Sequence, residues 1–194
     1  MSTTSLFVEL IVIGVGVLLW LLLLAASIFG FSWPAEFDAV ILVAAVPVLA
    51  VVYVLGIIWD RISDWIFQRL WADDLRSAYF DDLSAYYNAR RTIITGSEPL
   101  SNLLEYGRSR LRICRGWTLN ALAGAVALNV LVWTGAPDDF AISRGLLSAL
   151  GTGFLVALSC GSWFAWRSLA AAEYRKISQQ SVYLRADNTA GDRS

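Results

Sequence analysis

Residues 6–31 read LFVELIVIGVGVLLWLLLLAASIFGF, an apolar run whose one charge is Glu9. A helix needs roughly 20 predominantly apolar residues to cross the ~30 Å hydrocarbon core of a bilayer, and Leu6–Phe31 meets that length. Three further runs repeat the pattern. Ala39–Trp59 and Leu146–Trp166 carry no charge, and Trp117–Thr134 is shorter but also uncharged. Of the 194 residues, 57% are hydrophobic and 16% charged, well under the quarter or so that is charged in soluble domains. Too little polar sequence remains to cover four buried helices in water. The reading is an all-α integral membrane protein with four transmembrane helices. A cleaved signal peptide would need a basic segment and a shorter apolar stretch. Residues 1–5 hold no Lys or Arg, so the first run reads as a retained span.

Charge placement gives the same span count independently. Nine of the 15 basic residues lie between spans two and three, five follow span four, and only Arg144 lies elsewhere. The short connections Ser32–Asp38 and Gly135–Gly145 carry Glu36, Asp38, Asp138 and Asp139. Basic residues stay on the cytoplasmic side, which places both termini and the long central connection inside. The expected organisation is a transmembrane hairpin over 1–59, a helical cytoplasmic unit over 60–116 and a second hairpin over 117–170. A cytoplasmic tail follows over 171–194, and its lack of apolar residues after about 185 predicts disorder.

Span two is expected to kink near Pro47, which lacks a backbone donor. It keeps helical spacing past Trp59, with Tyr53, Gly56, Asp60 and Asp64 on one face. Residues 72–94 read as one amphipathic helix, with Leu75, Tyr79, Leu83, Tyr86 and Ile93 along its apolar side. Thr95-Gly96 ends it, and Ser97-Glu98-Pro99 starts a helix that carries Arg108, Arg112 and Arg115 into span three.

The chain has no histidine, which removes the commonest general base and metal ligand. There is no phosphate-cradling Gly-rich loop. Cys114 and Cys160 lack partners at metal-ligand spacing and read as reduced thiols. Adjacent carboxylates such as Asp73-Asp74 do not face each other on a helix. The expectation is no enzyme, no cofactor and no metal. Span four instead places Gly145, Ala149, Gly153, Ala157, Gly161 and Ala165 at every fourth position. Such a stripe lets backbones approach closely, within the chain or between copies. Ser148, Thr152 and Ser159 on span four, with Asn120 and Asn129 on span three, read either as helix-joining hydrogen bonds or as a weakly polar pore wall. Glu9 reads either as an anion favoured by the helix N-terminus or as a carboxylate ring at the mouth of an oligomeric pore. Asp60 and Asp64 leave span two at the depth where Arg108, Arg112 and Arg115 approach span three, so ion pairs between them are expected.

Two strings carry a resemblance: Tyr53-x-x-Gly56-x-x-x-Asp60-Arg61-x-x-Asp64, and Ser109-Arg110-x-Arg112-x-x-Arg115 followed by Leu119-Asn120. Together they resemble small bacterial four-span proteins encoded in antiphage defence operons, specifically the membrane channel effector of systems such as Hailong. The resemblance covers residues 53–120 and the four-span layout. It implies an oligomer in the bacterial inner membrane that permeabilises it on a signal of infection. The residues themselves leave two functions open. One is an oligomeric channel gated through the cytoplasmic helices, whose arginines bind an anionic nucleotide or oligonucleotide. The other is a non-conducting scaffold that binds a cytoplasmic or membrane protein partner.

Overall fold

The computed structural model describes residues 3–30, 41–135 and 143–191, and these are helical with no strand among them. The expected outer connections, with Glu36, Asp38, Asp138 and Asp139, lie outside the described residues. Helix α1 covers Thr3–Phe29 and α2 covers Ile41–Phe67, with Pro47 inside it. A π-helical turn, Gln68–Ala72, leads from α2 into the short α3, Asp73–Ser77. Helix α4 spans Leu83–Gly96, α5 spans Glu98–Val130, and α6 runs unbroken over Arg144–Gly191. Four of these helices, α1, α2, α5 and α6, are long and apolar enough to cross a membrane.

α1, α2 and α5 pack on one another, and α6 lies along α5. The closest approach is between α1 and α2. A Cβ on Gly14 would overlap the Val52 carbonyl, and one on Gly56 would overlap the Leu10 carbonyl. Only glycine fits at this crossing, so the small-residue seam of the bundle is Gly14/Gly56 and not the stripe on α6. Along α6, Gly145, Gly153 and Gly161 have no atom near their Cβ positions, Ala149 and Ala157 are exposed, and Ala165 is partly covered. The reason is which side α6 turns to α5: Ser148, Thr152 and Ser159 face the neighbour, and the stripe faces away.

At α5's charged end the chain builds a second bundle from α3, α4, the first half of α5 and the last half of α6. Two apolar clusters hold it. Phe67, Ala72, Trp166 and Ala170 form one, and Ala89, Ile93, Leu104 and Ile177 form the other. This differs from the expected organisation in two ways. The amphipathic pattern over 72–94 is two helices, not one. Asp82 takes an extended backbone and its carboxylate accepts the Ala85 N–H at 2.5 Å, which starts α4 afresh. Residues after 170 also belong to the bundle, because Ile177 and Leu184 pack on α4 and α5. α6 continues past Arg185 to Gly191. A helix already nucleated adds one hydrogen bond per residue without needing apolar contacts.

Candidate functional site at the junction of the two bundles

The junction is built where α2 and α5 leave their apolar stretches side by side. The Trp20 and Trp59 rings meet at a tilt of 49° with centroids 5.4 Å apart, and the Trp59 indole donates to the Gly116 carbonyl at 3.3 Å. The next residue, Asp60, is 2% exposed. Arg115 binds both acids of α2, with one nitrogen on Asp64 and the other 3.4 Å from Asp60. Arg61 adds a 2.8 Å bond to Asp60, and Gln68 donates to Asp64 at 3.0 Å. Removing one partner from so buried a network strands the other charge, at a cost of about 3–5 kcal/mol.

The three arginines expected at Asp60 and Asp64 separate. Only Arg115 reaches them. Arg112 turns to Glu9 at 3.7 Å, and Arg108 faces a cleft further along α5. Glu9 is 3% exposed, inside the bundle of α1 and α5. Its carboxylate is therefore engaged within this chain, against Arg112 of α5.

The other candidate pore-lining groups are also spent within the chain. Asn120 donates to the Ile13 carbonyl at 2.9 Å and accepts from the Trp20 indole at 3.2 Å. Asn129 donates to the Thr152 hydroxyl at 2.7 Å and accepts from Ser148. Ser159 donates to the Thr118 carbonyl at 3.0 Å. An amide in hydrocarbon seeks a partner, and each one here joins two helices. The polar stripe is a seam between α5 and its neighbours.

Beyond the junction a cleft of about 380 Å³ opens between the π turn, α4, α5 and α6. Four arginines line it, Arg76, Arg90, Arg108 and Arg115, against Asp64, Asp73 and Glu173. Arg76 is paired with Asp73 at 2.7 Å, and Arg115 with Asp64. That leaves Arg90 and Arg108 facing one acid, Glu173, so the wall keeps a cationic surplus. Tyr86, Tyr87 and Tyr174 supply rings, with Tyr86 and Tyr174 centroids 5.7 Å apart. Burial raises the Tyr86 phenol above its ordinary value. Guanidinium groups and aromatic faces suit a planar anion. Glu173 and Tyr174 escaped the sequence reading. The available signal was that Glu173 is the one acid between Arg144 and Arg185.

Cys114 and Cys160 are free thiols, half-buried and exposed respectively. Comparison with protein-family models, with curated proteins and with solved structures finds no match for this chain.

Proposed function

We propose that this chain is the subunit of an oligomeric channel in the bacterial inner membrane, gated from the cytoplasm by an anionic ligand in the arginine-lined cleft. The observation that carries this is the double membership of Arg115 and Asp64. Both line the cleft, and both belong to the ion-pair network at the ends of α2 and α5. An anion competing for Arg115 changes the same contacts that hold α2 to α5. The uncovered small-residue face of α6 supports assembly of several copies. A conducting path then lies between subunits, with an apolar lining that gates by dewetting. The resemblance noted above adds the setting of antiphage defence, with a nucleotide or oligonucleotide as the anion.

The scaffold is the second reading, favoured by one observation: the polar groups of the spans are engaged in joining helices. Planar bilayers holding the purified oligomer separate the two. A channel gives a current that nucleotides or short oligonucleotides modulate, and Arg90→Gln with Arg108→Gln removes the modulation. No current at any voltage or with any of these anions, while a protein partner still co-purifies, moves the assignment to the scaffold.

A further inference from the structure

A second opening at the junction shares only Trp166 with the arginine cleft. It is a groove of about 230 Å³ lined by Trp71, Asp74, Leu75, Ala78, Trp163, Trp166 and Arg167. Trp163 and Trp166 close the apolar run of α6, and Arg167 is the first charge after it. Trp71 comes from the π turn, and its ring lies 6.3 Å from Trp163, edge to face. The Arg167 guanidinium is anchored over the Trp163 ring at 5.4 Å. Asp74 and Arg167 share the groove, yet they form no ion pair with each other or with any other described residue. A cation and an anion that line one aromatic groove without pairing complement a zwitterion.

We propose that this groove binds the headgroup of a zwitterionic phospholipid with a primary ammonium, phosphatidylethanolamine. The inference rests on the four-span reading and not on conduction or on the cleft. Arg167 donates to the phosphate. The Asp74 carboxylate accepts from the ammonium, and the Trp71 ring of the same groove, which does not carry Arg167, attracts the same cation. Indoles favour this depth of a membrane in any case. The groove is smaller than the roughly 300–1,000 Å³ of pockets for whole drug-sized ligands, which suits a headgroup whose acyl chains remain in the bilayer. A quaternary ammonium has no N–H for Asp74, and an anionic glycerol headgroup has no cation for it.

The test is lipid retention by the full-length chain in nanodiscs containing equal phosphatidylethanolamine, phosphatidylcholine and phosphatidylglycerol, read by native mass spectrometry. Wild type is expected to retain phosphatidylethanolamine preferentially. Arg167→Gln lowers that retention about tenfold, the effect of one charge-assisted hydrogen bond. Asp74→Asn removes the preference over phosphatidylcholine and leaves total retention largely intact. Both side chains are exposed or at the surface, and the elution profile and helicity of each variant report its folding. Soluble glycerophosphoethanolamine added as competitor should not displace the lipid. Displacement by it assigns the groove to a free phosphate ester instead. Equal retention of all three lipids, or a preference that survives both substitutions, overturns the proposal. Should Arg167→Gln misfold, Asp74→Asn alone decides.

Discussion

At the scale of single residues, the junction turns on which arginine reaches which acid. Depth along the helices was legible in the sequence: Asp60 and Asp64 do meet an arginine of the 108–115 segment. Rotation was not legible. Arg108, Arg112 and Arg115 share a side at spacings of three and four, but α5 packs against α1, α2, α4 and α6. The arginines therefore divide among Glu173, Glu9 and the aspartates of α2. Double-mutant cycles distinguish these arrangements. Asp64→Asn with Arg115→Gln, and Glu9→Gln with Arg112→Gln, should each show coupling of about 0.5–3 kcal/mol in detergent unfolding. Asp64→Asn with Arg112→Gln should be additive. Coupling in that last pair and none in the first would require a different rotation of α5. The same geometry changes what Glu9→Gln reports. Because Glu9 is buried against Arg112, its substitution should lower stability and leave cation selectivity of any current unaltered.

At the scale of elements, the four long apolar helices were readable because an apolar run of that length has few ways to satisfy its backbone groups other than within its own helix. Which span makes the close contact was harder to read. Six small residues on α6 outnumber Gly14 and Gly16 on α1 and Gly56 on α2, yet the carbonyl approaches occur at Gly14 and Gly56. Periodicity marks a face that can pack, and only the rest of the bundle decides whether it does. Gly14→Ala and Gly56→Ala should each destabilise the monomer by about 1–3 kcal/mol or more, as overpacking does. Gly153→Leu and Gly161→Leu should leave monomer stability unchanged, since open space surrounds both. Thermal unfolding of the four variants in detergent checks the contrast. The break between α3 and α4 was missed because the hydrophobic spacing continues through it, while Asp82 supplies a new cap. The Ala85 N–H, with the Ser84 hydroxyl, holds the Asp82 carboxyl below its ordinary range. A depressed folded value stabilises the helix start above the unfolded value of about 3.9. That contribution is lost as pH falls through the lower folded value. Hydrogen exchange at the first turn of α4 should therefore lose protection on acidification. Asp82→Ala should lose it at every pH, and Asp82→Asn should keep the cap but remove the pH dependence.

At the scale of the whole molecule, the organisation into an apolar bundle and a charged one was visible in composition, whereas the cleft between α4, α5 and α6 was not. The cleft needs the far half of the unbroken α6 to lie along α4, and nothing local in residues 171–184 announces that contact. What remains uncovered is also a whole-molecule property. Only 6% of α6's apolar window is buried within the chain, against 44% for α5. Lipid can cover such a face, so exposure alone does not specify a second subunit. Small residues on that face are what lipid does not require, and they favour a helix from another copy. Cys160 offers a direct probe, because it is exposed and lies two turns beyond Gly153 on nearly the same side of α6. In a background with Cys114→Ser and Cys160→Ser, single cysteines at 153, 157, 160 and 161 should cross-link between copies on oxidation in native membranes. Cysteines at the exposed α2 positions 54 and 58 should not, and Gly153→Leu should suppress cross-linking at position 160. The outcome is sensitive to geometry, since a disulfide needs Cα atoms about 4.4–6.8 Å apart. Longer bismaleimide linkers extend the reach where subunits meet head to tail instead of about a two-fold axis. If neither chemistry yields a dimer from any α6 position, and the detergent complex has the mass of one chain, assembly through α6 is excluded. A path between copies is then excluded with it, and the chain acts as a single four-helix membrane scaffold.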